Sequence, residues 1–296
     1  MKWGHRRGEG YGETIKQLYE EYKPLLCTIA YQLTGSMADA EDLVQDLFVK
    51  LTGLDLKRLY DPKNYLCKMI VNRCYDYLGS AQKRREQYTG PWLPEPVPTD
   101  VADPGAMLLK KDMLSYGMLV LLERLTPVER TVFVLREALS FDYASIGKIV
   151  EKSEGNCRKI LSKARRKVGN PGKAIRRRQN QRVWIEQFLE ELRRGNVEKI
   201  LSLLAEDVIV TSDGGGKVTA ALRPVISAEK VARFLLGLLR KYQGVQYRVI
   251  GINAEDGLLI RAGGQMTVAL FQLEGGKMKK LYLVRNPEKL TWFKNL

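Results

Sequence analysis

"LTPVERTVFVLREALSFDYASIGKIVEKSEGNCRKILSKARRKV", residues 125–168, is the stretch that settles what kind of fold this chain carries. Thr126-Pro127-Val128-Glu129 reads as a helix start: a hydroxyl cap, a first-turn proline, and a glutamate placed to bond back to the cap. Asp142 starts another helix, with Ile146, Ile149 and Val150 inward. After the break "EKS", a further helix runs from about 154 to 168. Cys157, Ile160, Leu161, Ala164 and Val168 fall on its inner face, which assigns Cys157 to packing. Its outward positions are Asn156, Arg158, Lys159, Ser162, Lys163 and Arg166. Two short helices, a tight break and a basic outer face describe a helix-turn-helix. Side chains near the start of the second helix are placed for base edges in the major groove; later basic ones suit phosphates. From Arg158 to Arg182 there are eleven basic residues and no acidic one. Gly147 departs from the pattern at a cost of about 1 kcal/mol relative to alanine, and it leaves room for close packing.

The whole chain fits that reading. Its 296 residues suit two or three domains, and 45% hydrophobic content supplies sizeable cores. A net charge of +15 favours a polyanionic partner. No apolar run is long enough to span a bilayer, and "MKWGHRRGEGYGE" has no apolar stretch for a signal peptide, so a soluble, cytoplasmic protein without membrane attachment is expected. Cys27, Cys67, Cys74 and Cys157 show no CxxC spacing, and His5 is the only histidine. That excludes a zinc site and Cys–His nucleophilic chemistry; no metal or cofactor is expected.

Upstream, residues from about 12 to 86 read as helices. Leu18, Tyr22, Leu25, Ile29 and Leu33 form one stripe. Ser36 with Asp39 resembles a capping box. The next helix has Leu43, Val44, Leu47, Phe48 and Leu51 on one face and Asp39, Asp42, Gln45 and Asp46 on the other. Asp61-Pro62 starts a helix running into "KRRE". There Lys63, Lys68, Arg73, Lys83, Arg84 and Arg85 interleave with Tyr60, Tyr65, Tyr75 and Tyr77, a composition that suits unpaired bases, although packing competes for each tyrosine. Residues 87–105, with prolines at 91, 94, 96, 98 and 104, form a semi-extended linker. Trp92 and Leu93 within it are expected to dock onto a domain.

Downstream of about 180, helical segments give way to strand-like runs, which predicts an α+β domain with helices laid on a curved antiparallel sheet. Glu255-Asp256-Gly257 and Glu274-Gly275-Gly276 are read as hairpin turns. "TSDGGGKVT", residues 211–219, fails as a nucleotide loop because Val218, not a hydroxyl residue, follows Lys217. Gly214, Gly215 and Gly216 are instead expected to make a turn needing positive φ.

Two blocks, "GSMADAEDLVQDLFVKL" and residues 125–168, resemble the extracytoplasmic-function class of bacterial RNA polymerase sigma factors, a resemblance covering about residues 12–169. "WLPEP" (92–96), "DGGGK" (213–217) and "NPEKL" (286–290) resemble three short motifs of the subgroup with a fused C-terminal SnoaL, NTF2-like domain. The resemblance implies two all-α sigma domains, the second with the helix-turn-helix, plus an α+β NTF2-like cone. The implied boundaries are region 2 at 1–88, a linker at 89–108, region 4 at 109–172 and the regulatory domain at 173–296. It implies promoter DNA and core RNA polymerase, through its beta-prime clamp and beta flap, as partners. Asp39, Asp42, Gln45, Asp46 and Phe48 would bind polymerase. Tyr65, Lys68, Asn72, Arg73, Tyr75, Lys83, Arg84 and Arg85 would hold the −10 element, and Asn156, Arg158, Lys159, Ser162, Lys163 and Arg166 the −35 duplex. Trp92, Leu93, Pro94, Glu95 and Pro96, Asp213 to Lys217 (Asp213, Gly214, Gly215, Gly216, Lys217), and Asn286, Pro287, Lys289 and Leu290 would regulate in cis. The glycine loop is expected beside the linker, with Glu95 paired to Lys217.

Two other readings stand beside this one. The C-terminal domain as an enzyme would draw on Asp207, Asp213, Glu229, Tyr242 and Tyr247; with no histidine and no clear acid–base pair there, a non-catalytic domain is expected, one that leaves room for a small ligand. A helix-turn-helix repressor or activator with a ligand-binding or catalytic NTF2-like domain explains the basic helix. It does not explain the acidic-faced helix or the tyrosine-rich basic block.

Overall fold

A computed structural model describes residues 9–52, 60–99, 112–169 and 181–296. The chain divides into two compact units. One comprises the described residues of Met1–Gln82, Ala102–Met113 and Leu121–Gly169; the other those of Lys83–Val101, Leu114–Val120 and Asn170–Leu296.

The first unit is helical. Helix α1 spans Glu9–Thr34, α2 Met37–Leu51 and α3 Pro62–Glu86. The Ser36 side chain accepts the Asp39 N–H at the start of α2, and Asp61 accepts the Asn64 N–H at the start of α3, so local caps fix where both helices begin. Leu26, Ile29, Leu33, Leu47, Leu51, Leu66 and Ile70 are fully buried. Helix α4, Tyr116–Leu122, belongs largely to the second unit, and α5 of the first is Pro127–Phe133. The Thr126–Glu129 capping box is present in both directions. A π-helical turn, Val134–Ala138, follows; nothing in the local sequence pattern announces it.

Helix α6 (Tyr143–Val150) and α7 (Glu154–Val168) form the helix-turn-helix, capped by Asp142 and Ser153. Glu151 adopts the left-handed conformation between them, and the N–H groups of Glu151 and Lys152 both return to the Gly147 carbonyl. A Cβ on Gly147 would stand 2.6 Å from the Lys152 carbonyl oxygen. The glycine is therefore what lets the turn close so tightly. Cys157, Leu161, Ala164 and Val168 are buried, as are all four cysteines.

The second unit is α+β. Helices α8 (Gln181–Arg194) and α9 (Val197–Leu203) lead into β1 (Leu204–Asp213); β2 (Val225–Ile226) and α10 (Ala228–Lys241) follow. Strands β3 (Gln246–Ile252), β4 (Glu255–Ala262), β5 (Gln265–Glu274) and β6 (Lys277–Val284) complete a six-stranded sheet in the order β2-β1-β6-β5-β4-β3. The sheet is mixed rather than wholly antiparallel: β1 lies parallel to β6, while every other pairing is antiparallel. A long crossover allows this, since β2, α10 and the β3–β5 meander all separate the two strands in sequence. The β1–β6 register shifts between Leu204 and Ile209, and the β5–β6 register at Gln272/Leu273.

The β3–β4 hairpin turns at Asn253 and Ala254, both at positive φ, not at Glu255-Asp256-Gly257, which already belong to β4. Asn253 carries the first left-handed position, as its short polar side chain permits. The β5–β6 turn is at Gly275-Gly276.

The two sheet faces carry two separate cores. Leu281 and Leu283 of β6 pack with α8, α9 and α10. Tyr282 and Val284, alternating with them, pack with Leu93, Tyr116, Leu290 and Phe293. The linker and a 3-10 turn at Pro287–Phe293 thus cover one face, and three helices cover the other.

Candidate functional site

The three short motifs converge on one carboxylate. Strand β1 alternates: Val208, Val210 and Ser212 face the helices, so Asp213 at its end turns to the linker face. Asp213 is fully buried. It accepts hydrogen bonds from the Tyr88 hydroxyl (2.6 Å), the Leu93 N–H (2.9 Å), the Gly215 N–H (3.0 Å) and Lys289 Nζ (2.7 Å). Its backbone carbonyl accepts the N–H groups of Arg285 and Asn286. A buried carboxylate is tolerable only with such compensation.

Lys289 closes the arrangement. Its ammonium also donates to the Leu93 carbonyl at 2.6 Å and lies 4.3 Å from the Trp92 ring centroid and 5.0 Å from that of Tyr88, positions suited to cation–π attraction. Asn286 donates to the Tyr88 hydroxyl at 3.0 Å. Burial and the adjacent Asp213 carboxylate push the Tyr88 phenol well above its ordinary value. Pro94 and Pro96 are buried beside Leu93, the Tyr116 hydroxyl donates to the Pro94 carbonyl at 2.6 Å, and Pro287 opens the 3-10 turn that buries Leu290.

The glycines have a steric reason. A Cβ on Gly214 would lie 2.4 Å from the Val218 carbonyl oxygen, one on Gly215 2.4 Å from the Asn286 amide, and one on Gly216 3.1 Å from Thr89. Gly215 and Gly216 have φ of +60° and +71°. The loop is a turn pressed against residues 88 and 89, not an anion cradle. The expected Glu95–Lys217 pair does not form: Lys217 pairs with Glu288, and buried Glu95 accepts the Trp292 indole N–H at 3.1 Å. Glu95 lies on the buried side of the linker and Lys217 on the exposed side of the turn. Tyr88, Tyr116 and Trp292 were not singled out in sequence; Tyr88 and Trp292 flank the motifs by four and two residues.

In the helical unit, Asn156, Arg158, Lys159, Ser162, Lys163 and Arg166 all project to solvent from α7. Arg158 pairs with Glu154 at 2.9 Å, and Lys163 and Lys167 reach Glu129 at 3.4 and 2.6 Å. Burial raises the Glu129 carboxyl, but hydrogen bonds from Lys167, the Thr126 N–H and Lys163 outweigh it and hold the group at about 2.

On α2, Asp42, Gln45 and Asp46 are exposed, joined by Val49 at 67% exposure. Asp39 is half-buried and accepts the Tyr77 hydroxyl at 2.6 Å. Phe48 is in the core, edge-on to Tyr19 at 4.9 Å, so the aromatic ring supports this face from beneath instead of lying on it.

Tyr60, just before α3, is exposed, as are Tyr65 and Asn72 on it, and Arg73 is half-buried with its guanidinium on the Asp46 carbonyl. Tyr75 packs toward Thr131 on α5, and burial raises its phenol. Lys68 pairs with Glu151 at 2.6 Å, Lys63 lies 4.6 Å from the Phe141 ring, and Asn64 donates to the Ser145 hydroxyl. Arg130, buried on α5, donates to the Leu33 carbonyl at 2.6 Å and to Glu123 at 2.9 Å. The helices before and after the linker are therefore docked on each other. The side chains of Lys83, Arg84 and Arg85, together with His5 and the basic run at 173–178, lie outside the described residues.

Residues 18–84 match the model of Sigma-70 region 2, and residues 118–168 that of Sigma-70, region 4. The ECF RNA polymerase sigma factor SigJ of Mycobacterium tuberculosis is 32% identical over 92% of each chain. The chain is an extracytoplasmic-function sigma factor. The probable ECF sigma factor SigI of the same organism is 26% identical, over 94% of this chain and 95% of its own. The crystal structure of SigJ matches the sigma factor with a TM-score of 0.76 at 29% identity, covering 94% of this chain and 98% of that one. The helical unit of the sigma factor thus carries regions 2 and 4, and its C-terminal unit a curved mixed sheet with helices that the match to the SigJ structure also covers. Membership of this family makes core RNA polymerase and promoter DNA its partners. Among the described residues, no helix is long and apolar enough to cross a membrane, and no group of three His, Cys, Asp or Glu gathers as a metal site.

Proposed function

We propose that this sigma factor is regulated in cis by its C-terminal unit, through the clamp that Asp213 and Lys289 close on the linker. The observation that carries this is the meeting of Leu93, Asp213 and Lys289, from three distant motifs, in one buried hydrogen-bonded cluster. The linker joins region 2 to region 4, so a clamp on it limits how far the two separate. The exposed acidic face of α2 engages a basic surface of the beta-prime clamp, where complementary charge orients docking, and region 4 meets the beta flap. Tyr65, Lys68, Asn72, Arg73, Tyr75, Lys83, Arg84 and Arg85 serve the −10 element, and the exposed face of α7 the −35 duplex. The working boundaries are region 2 at 1–88, linker at 89–108, region 4 at 109–172 and regulatory domain at 173–296. That domain works as a non-catalytic regulator in the cytoplasm, with room for a small ligand.

Geometry supports an opening step. Elements named for positions −10 and −35 are 25 base pairs apart, roughly 85 Å at about 3.4 Å per pair. Lys68 of one module and Glu151 of the other are joined in an ion pair. Both modules cannot hold their elements while so docked.

Transcription from a mapped promoter with core polymerase, comparing full-length protein with a chain ending at about residue 180, tests the reading. Promoter output is expected to change strongly. Equal initiation by both chains would refute regulation in cis.

A further inference from the structure

The face of the sheet opposite the clamp encloses a cavity of about 410 Å3, within the ~300–1,000 Å3 of small-molecule sites. Its walls are apolar: Phe188 and Leu192 from α8, Leu235 and Leu239 from α10, Phe271 and Leu281 from the sheet. The charged groups on its described lining all have one sign, Arg193, Lys241 and Arg285; no carboxylate and no histidine lines it. Asp207, Asp213 and Glu229, the acids an enzymatic reading would need, are not among the lining residues.

Of the three, Arg193 has a carboxylate neighbour and the other two are presented. Arg193 lies over the Tyr247 ring at 4.7 Å and is 4.0 Å from Glu190. Lys241 is exposed at the end of α10. Arg285 donates to the Thr219 carbonyl and, at 2.5 Å, to Gln265 Oε1. Its hydrogen bond to Tyr242 holds that phenol below the ordinary value. Among the described residues no carboxylate pairs with Arg285 or Lys241. A long apolar wall ending in unpaired cations complements one kind of molecule, an apolar body with a single anionic head.

We propose that this cavity binds an amphipathic monoanion, its apolar body between α8, α10 and the sheet and its carboxylate at Arg285 and Lys241, and that occupancy is transmitted to the linker clamp. The path is short. Ser212 lines the cavity and its neighbour Asp213 holds the linker. Thr219, Ala220 and Ala221 line the cavity directly after the glycine loop that presses on Tyr88 and Thr89. Arg285 is the point of contact, because its own N–H is bonded to the Asp213 carbonyl. A carboxylate that takes the Arg285 guanidinium competes with the Thr219 carbonyl and so loosens the loop. The regulatory meaning of that step rests on the clamp reading above; the binding itself does not.

The test uses the full-length protein without polymerase, with decanoate as probe and decan-1-ol and decyltrimethylammonium as controls. Calorimetry is expected to show saturable one-to-one binding of decanoate, at least tenfold weaker binding of the alcohol, and none of the cation. Lys241→Glu, on an exposed side chain, and Arg285→Gln should each weaken decanoate at least fivefold. Hydrogen exchange of the 88–99 segment should quicken with decanoate bound. Absence of saturable binding up to millimolar decanoate, or equal binding of the cationic amphiphile, overturns the ligand class. Decanoate binding with unchanged exchange at 88–99 overturns the coupling while leaving the clamp's own role to the transcription assay.

Discussion

A fully buried carboxylate that accepts four hydrogen bonds is stable only while every donor stays in place. Asp213→Asn keeps the volume but removes the carboxylate charge that faces Lys289. It should destabilise the C-terminal unit by about 3–5 kcal/mol, read as a lower denaturant midpoint. Glu129 gives a second residue-scale outcome. Its folded-state value of about 2 lies below the ordinary 4.5, so its stabilisation is present above pH 4.5 and is lost as the pH falls toward 2. Glu129→Gln retains the capping box and loses the charge. Wild type and variant should differ by about 1–2 kcal/mol at pH 6, allowing for screening of the exposed lysines. In denaturant titrations that gap should narrow at pH 4, fall to roughly a quarter by pH 2.5 and vanish only below pH 2. Asp213 and Lys289 were legible because they stand inside recognisable motifs. The real partners of Glu95 and Lys217 were not, since Trp292 and Glu288 lie far along the chain and no local pattern encodes which face of a linker turns inward.

At the scale of elements, α2 separates what can be altered from what cannot. Asp42 and Asp46 are exposed while Val44, Leu47 and Phe48 are buried. Reversing both charges, Asp42→Lys with Asp46→Lys, should weaken association with core polymerase at least tenfold at low salt. The thermal midpoint should hardly move, because surface changes of this kind seldom exceed about 0.5 kcal/mol. Polymerase affinity unchanged by the double reversal would remove α2 from the docking surface. Helices α2, α5 and α6 were readable down to their caps, and α7 in its bounds, because helical period and capping are local in sequence. The parallel β1–β6 pairing was not, since strand order depends on contacts across some seventy residues and antiparallel neighbours are the default. The Asn253-Ala254 turn was missed because the glycine of Glu-Asp-Gly, a residue type that usually marks a turn, here sits within β4 beside Ile252 and Ala269.

At the scale of the whole molecule, the docking of region 2 on region 4 leans on buried Arg130 more than on the Lys68–Glu151 pair, which is largely exposed and so contributes at most about 1 kcal/mol. Fluorescence energy transfer between labels on exposed Asn72 and Lys159 should be high in the free protein. It should fall when core polymerase and promoter DNA are added together. Raising salt alone should lower it only slightly, and efficiency unchanged in the full initiation complex would contradict opening. The linker also has a second effect. Residues 97–99 bridge to the end of β3, with Thr99 donating to the Gly251 carbonyl and Asn253 to that of Val97, and β3 is the last strand of the sheet. A chain that releases its linker bares those unsatisfied strand groups, which are a template for self-association. The activated form would be the sticky one, prone to pair with copies of itself unless polymerase captures it quickly, so solubility sets a time limit on activation.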